Sequence, residues 1–246
     1  MDAIKKALKN PRFAILYFPV AVLNGLLRGG KISASDFEAL NEVQDFAKNV
    51  KGAIGDHLTA LFIESLVVKP KLIVELGVRQ GDSTFALGRA AKLCQARLVS
   101  VDVEDFEGKL TYENWTFVKR DDIKFAGEFR IWCKKRKIKP QIDVLFIDTS
   151  HYYRHTTDEI KVWFPFLSPK ARVFFHDTNL RIIYPKKSGG FGVGWDNKRG
   201  VIRALEDYFE KSFNEKIDFT DVAKGWVIRH SHYSGGFTIL ETAKFP

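Results

Sequence analysis

The chain has 246 residues, a length that fits one domain or one domain with an appendage. Hydrophobic residues make up 45%, enough for a sizeable core, and two cysteines, Cys94 and Cys133, imply no disulfide framework and a reducing, cytoplasmic compartment. The formal net charge of +9 is compatible with nucleic acid, an anionic membrane or an acidic substrate as a partner, or with no more than a solvated lysine-rich surface.

The first segment, residues 1–65, reads as a helical N-terminal appendage, and residues 66–246 read as one α/β domain. Lys5, Lys6, Lys9 and Arg12 precede an apolar stretch, Phe13 to Leu27, broken by Pro19, Asn24 and Gly25. It looks superficially like a secretion signal, but no clean small-x-small cleavage site follows, and it is too short and interrupted to span a membrane. The expectation is an arm that packs on the domain or on a second subunit of a homo-oligomer, with peripheral membrane contact as the alternative. Ser35 and Glu38 have capping-box spacing and predict a helix through Val50. A second helix is predicted over 54–68.

Lys71 to Asp102 is the first informative stretch. An apolar run, Leu72 to Val74, leads to Glu75 and Gly77; Gly81 then precedes a helix start at Asp82-Ser83-Thr84, and a second apolar run, Leu98 to Val101, ends in Asp102. This is a strand, a glycine turn, a helix and a strand with an acid at its carboxyl end, the unit that builds nucleoside-cofactor pockets. The glycines do not follow the G-x-G-x-x-G spacing that brings backbone amides to a pyrophosphate. A carboxylate at Glu75 would repel a pyrophosphate, whereas it complements a cofactor carrying an ammonium and a sulfonium group. Asp102 suits a ribose diol, because a carboxylate accepts hydrogen bonds from both hydroxyls.

Further along, strands are predicted at 97–102, 115–118, 143–147, 172–176, 225–229 and 237–241, after a first at 72–76. Helices are predicted at 83–94, 123–137, 154–165 and 198–211. Alternating strands and helices imply a doubly wound, mostly parallel sheet. Ser234-Gly235-Gly236 lies between two strand-like runs and marks a closing antiparallel hairpin. Asp121 and Asp122 follow the strand at 115–118 and read as a helix N-cap.

The second informative stretch runs from Gln141 to Leu180. Two buried strands end in Asp148 and Asp177, and neighbouring strands about 4.8 Å apart let two such acids share a hard cation such as Mg²⁺ or Ca²⁺. The other reading is a pair of strand-end acids capping backbone amides. His151, three residues past Asp148, has the chemistry of a general base. His155, further along, falls on what reads as a solvated helix face. Between Asn179 and Arg199, glycines with Phe191 and Trp195 suit a substrate lid.

The Glu75-x-Gly77-x-x-x-Gly81 turn with Asp102 downstream resembles the first two motifs of class I S-adenosylmethionine-dependent methyltransferases. Ile147-Asp148, His151, Tyr153, Asp158, Trp163 and His176-Asp177 resemble the hallmark of the small-molecule O-methyltransferases that include macrocin O-methyltransferase and cephalosporin-hydroxylase-like proteins. The likeness covers roughly residues 65–180. It implies a Rossmann-like methyltransferase fold and S-adenosylmethionine bound through Glu75, Gly77, Gly81, Ser83, Asp102 and Asp121, the last near the adenine. It further implies a divalent metal, Mg²⁺ by preference, on Asp148 and Asp177, with Asp148 and His151 catalytic and a small-molecule hydroxyl, glycosyl or polyol, as acceptor. The chain departs from the family at His176-Asp177-Thr178-Asn179, where related enzymes carry Asp-Asn or a second acid; this leaves open whether Asn179 or His176 supplies the third ligand or the site is weak or unused. An RNA methyltransferase and a non-catalytic cofactor-binding scaffold remain the alternatives, although basic residues are not interleaved with aromatics in one stripe as RNA binding would require.

Overall fold

The computed structural model describes residues 33–108, 110–185 and 189–243. The apolar stretch Phe13 to Leu27, and its expected contact with the domain, a second subunit or a membrane, lie outside the described residues. The chain enters through α1 (Ala34–Asn49), a 3₁₀ turn at Ala53–Asp56 and α2 (Leu58–Val68). The capping box is built two residues earlier than the sequence suggests. The Ser33 side chain accepts from the Asp36 amide while Asp36 reaches back to the Ser33 amide, and Ser35 already lies inside the helix. Asp can close the box as Glu does, because either carboxylate reaches the cap amide.

From β1 (Leu72–Leu76) the chain alternates: α3 (Asp82–Cys94), β2 (Arg97–Asp102), β3 (Trp115–Lys119), α4 (Asp122–Lys135), β4 (Ile142–Ile147), α5 (Tyr153–Trp163) and β5 (Leu167–His176). A short ribbon of β6 (Ile183–Pro185) and β7 (Phe191–Val193) follows, then α6 (Gly200–Phe209), β8 (Phe219–Ala223), β9 (Trp226–Ser231) and β10 (Phe237–Thr242). The eight-stranded sheet has the order β3-β2-β1-β4-β5-β10-β9-β8. Pairing is parallel from β3 through β5 and antiparallel from β5 to β8.

Two apolar layers follow from strand alternation. Leu72, Val74 and Leu76 join Phe125, Phe129, Trp163 and Leu205 on the face covered by α4, α5 and α6. Ile73, Val144, Phe146 and Phe174 join Leu61, Leu87 and Ala91 on the face covered by α2 and α3. The helices of the N-terminal region are thus cemented to the sheet, with α1 outside them through Val43, Leu58, Phe62 and Ala90. Because β1 pairs with β2 on one side and β4 on the other, strand order reverses at β1, and a crevice opens beyond the carboxyl ends of β1 and β4.

Two elements depart from expectation. The Asn179–Arg199 segment is not all loop, since Ile183 pairs with Val193 and Pro185 with Phe191 in the β6–β7 ribbon. β8 was absent from the expected strands because Asp221 interrupts its apolar run; it is a half-buried edge strand joined to β9 through Lys224-Gly225, both with positive φ. No helix among the described residues is long and apolar enough to cross a membrane.

Candidate active site

The crevice holds a cavity of about 540 Å³ whose walls include Gly77, Arg79, Asp102, Asp121, Asp148 and His155. Gly77 opens the turn after β1 with φ +87°, in the left-handed region that favours glycine, and a Cβ there would overlap the carbonyl oxygen of Asp148. Conformation and space therefore both require glycine. Asp102, at the end of β2, accepts from the amides of Val78 (2.7 Å) and Arg79 (3.4 Å) through one oxygen and of Glu104 (3.0 Å) through the other. Its carboxylate fixes the turn and also faces the cavity, with lone pairs left over for a diol. Asp121 caps α4 by accepting from the Lys124 amide at 2.9 Å and lines the same cavity.

Glu75, Gly81 and Ser83 do not line the cavity wall. Glu75 is fully buried behind the turn, where it accepts from Ser83 (2.6 Å), Thr84 (2.8 Å) and Ser100 (2.5 Å). Burial pushes its carboxyl up to about 7, against the three hydroxyl donors that favour the charged form. Glu75 and Ser83 therefore support the turn from behind, where the resemblance implied direct cofactor contact. Gly81 is the α3 N-cap, with φ 83°.

Asp148 and Asp177 stand just beyond β4 and β5, as neighbouring parallel strands dictate. His151 lies between them, its Nε2 2.8 Å from Asp148 Oδ1 and its Nδ1 3.6 Å from Asp177 Oδ2. Both His151 and Asp177 adopt positive φ, 57° and 55°, conformations costing about 1–3 kcal/mol each that persist only where surroundings impose them. A Cβ on Gly235 would meet Asp177 Oδ1, so the β9–β10 connection packs directly against that carboxylate.

His176, the last residue of β5, is buried with Nδ1 3.2 Å from Asp148 and 3.3 Å from Asp177, although neither ring nitrogen reaches hydrogen-bond geometry. Burial alone would lower its pKa, but the two carboxylates outweigh burial and push it up to about 10. Burial would likewise raise the Asp148 carboxyl, yet His176 and His151 hold it well below the usual range. Two carboxylates at neighbouring strand ends supply the oxygen donors that a hard dication takes. A protonated His176 beside them leaves the pair one net negative charge, so their hold on a cation is weaker than that of three acids.

Asn179 is held by the hairpin. Its Nδ2 donates to the His232 carbonyl at 2.7 Å and its amide bonds to Gly235, which ties the side chain to the hairpin. The His151 ring also has a nitrogen within 4.8 Å of an oxygen of each acid. His57, to which the sequence assigns no role, stacks on Phe237 (4.9 Å) and lies edge-on to His176 (5.4 Å); burial and the neighbouring His176 lower its pKa to about 4. No local pattern marks His57, because 119 residues separate it from His176 (176 minus 57) and only the fold joins them. His155 is another correction. It is half-buried and not on a solvated face, with Nε2 3.1 Å from Asp122. Beyond His151, Trp195 lies 5.8 Å from its ring and 4.9 Å from that of Tyr152, while Phe191 and Val193 stay exposed.

Sheet order, switch-point crevice and strand-end acids define a Rossmann-like methyltransferase fold. A family model described as a methyltransferase domain matches residues 74–178, from within β1 to the residue after Asp177, somewhat less than half of the chain. An uncharacterized protein of Sinorhizobium fredii, y4gI, is 29% identical over 141 residues, which cover 51% of this chain and 14% of that protein; the chain spans about one seventh of this relative's length. Among solved structures, MycE, a methyltransferase from the mycinamycin biosynthetic pathway in complex with Mg, SAH and mycinamycin VI, aligns with TM-score 0.51 and 16% identity over 83% of this chain and 53% of its own. A Bacillus cereus O-methyltransferase in complex with SAH aligns with TM-score 0.51 and 12% identity over 83% and 91%, and the SAH-bound Podospora anserina methyltransferase PaMTH1 with 0.51 and 12% over 92% and 94%. At these identities the likeness is one of fold.

Proposed function

We propose that this protein transfers a methyl group from S-adenosylmethionine to a hydroxyl of a small molecule, with a divalent cation on Asp148 and Asp177. The observation that carries the reading is the placement of the Asp148–His151–Asp177 set at the edge of the cavity formed by Gly77, Asp102 and Asp121. The cation would lower the pKa of the acceptor hydroxyl and fix its oxygen. Asp102 would receive the ribose hydroxyls, and Asp121 would face the adenine. The acceptor oxygen forms a bond to the methyl carbon as the carbon–sulfur bond breaks, and the hydroxyl proton passes to His151, the imidazole of the set. Much of the rate would come from placement, since orientation alone can supply about 7–11 kcal/mol. Trp195 and Tyr152 would wall the acceptor side, which suits a glycosyl or polyol acceptor better than an RNA strand.

The test is release of S-adenosylhomocysteine from S-adenosylmethionine, with and without Mg²⁺, across a panel of sugar, polyol and phenolic hydroxyls. Turnover that needs Mg²⁺ and is lost in Asp148→Asn supports the reading. Tight cofactor binding with no turnover on any hydroxyl supports a non-catalytic scaffold instead.

A further inference from the structure

A second cluster of cation-binding groups lies away from the strand-end acids. Asp122, at the start of α4, and His155 and Glu159, one turn apart on α5, bring three ligand atoms within 4.8 Å of one another. His155 Nε2 is 3.1 Å from Asp122 Oδ1 and 3.6 Å from Glu159 Oε1. Both acids are more than nine-tenths buried, their side chains only 8% and 0% exposed. Thr149 donates to Glu159 Oε1 at 2.6 Å, yet Glu159 Oε2 and Asp122 Oδ2 have no hydrogen-bond donor. One oxygen of each carboxylate lies within 4.8 Å of the other. Two ionised carboxylates that near in a dry setting repel, so the group needs a compensating positive charge: a proton on His155, a proton shared by the acids, or a bound cation.

We infer that Asp122, His155 and Glu159 form a binding site for a divalent transition cation, Zn²⁺ or Mn²⁺, distinct from the Asp148–Asp177 set. One imidazole nitrogen and two carboxylate oxygens suit these borderline ions better than Mg²⁺ or Ca²⁺, which favour all-oxygen shells. A zinc about 2.0–2.1 Å from each ligand sets tetrahedral ligand atoms roughly 3.3 Å apart. The two distances from His155 Nε2, 3.1 and 3.6 Å, bracket that spacing. Asp122 and His155 also border the cavity, which gives an ion held there access to water for a fourth position. Such an ion ties the start of α4 to α5 across the cavity rim. The inference does not depend on methyl transfer.

The full chain, stripped with chelator, is titrated with Mn²⁺ while the free-ion paramagnetic signal is counted, and Zn²⁺ is then used as competitor. Asp148→Asn protein is expected to keep one equivalent that Zn²⁺ displaces, and His155→Gln to weaken that equivalent at least tenfold. Zn²⁺-soaked wild-type crystals, which need no variant to fold, are expected to show an anomalous peak between His155 Nε2 and the two carboxylates. The inference is overturned if no peak appears there and the carboxylates instead share a short hydrogen bond. It is equally overturned if a crystal peak has no solution equivalent that His155→Gln removes.

Discussion

Replacing Glu75 with glutamine separates the charge of this buried acid from its shape, and its effect is set by the surroundings of one carboxyl group. The group rises from its ordinary 4.5 to about 7 because burial outweighs the donors Ser100, Ser83 and Thr84. A difference of roughly 2.5 units corresponds to about 3 kcal/mol at about 1.36 kcal/mol per unit. The sign follows from the raised value: the folded state holds this proton more tightly than the unfolded chain. Stability from the group is complete below about 4.5 and is lost as pH climbs through about 7. A glutamine with its oxygen toward Thr84 and Ser100 keeps both of those bonds, and its amide can donate to the Ser83 hydroxyl. Urea unfolding of both proteins between pH 5 and 8.5 reads the consequence. The stability of Glu75→Gln relative to wild type should rise with pH by up to about 3 kcal/mol, a shift in melting temperature of roughly 6–12 °C for a chain of this size. A difference flat across that range would show that the hydroxyls fully compensate burial, and the account of this carboxyl would fail.

Asp102→Asn should weaken binding of S-adenosylhomocysteine by about 1–3 kcal/mol, since charge-assisted acceptance from the ribose is lost; calorimetry showing unchanged affinity would remove Asp102 from the cofactor wall. Chelator should abolish turnover and Mg²⁺ restore it, with Asp148→Asn inactive under both conditions; full activity in chelator would make the strand-end acids structural. His151→Ala should lower turnover about 10²–10⁴-fold while leaving S-adenosylhomocysteine affinity near wild type. If that variant instead loses Mg²⁺ affinity in proportion, His151 is a ligand and not the base. Gly77→Ala should destabilise by several kcal/mol, because a left-handed φ and an overlap with the Asp148 carbonyl are imposed together; a melting temperature within a degree of wild type would contradict that geometry.

The parallel sheet and its acids were legible because their signals are local. The run of residues from Leu72 to Asp102 writes strand, turn, helix and strand in order, and the apolar runs before Asp148 and Asp177 announce buried strands. The Ser234-Gly235-Gly236 turn likewise marks the β9–β10 hairpin. What escaped depends on the fold. Glu75 could be placed on β1, but which face it takes follows from strand pairing, and that face holds hydroxyls and not the cavity. Asn179 stands two residues past Asp177, and the bond its Nδ2 makes to the hairpin carbonyl of His232 could not be read from the chain. His155 looks solvated on a helical wheel; only the approach of α4, which brings Asp122 against it, makes it part of a cluster. β8 carried a usable signal, the two-residue Lys224-Gly225 connection, which its interrupting Asp221 obscured.

The central claim is that one crevice holds the methyl donor and presents its reactive end to the Asp148–His151–Asp177 set. A crystal structure of the full chain grown with S-adenosylhomocysteine and Mg²⁺ tests it most directly. The account predicts the ribose hydroxyls on Asp102, the adenine beside Asp121, and the sulfur pointing toward a cation held by Asp148 and Asp177. A crevice that stays empty at saturating S-adenosylhomocysteine, or one that takes a nicotinamide dinucleotide in its place, would contradict it.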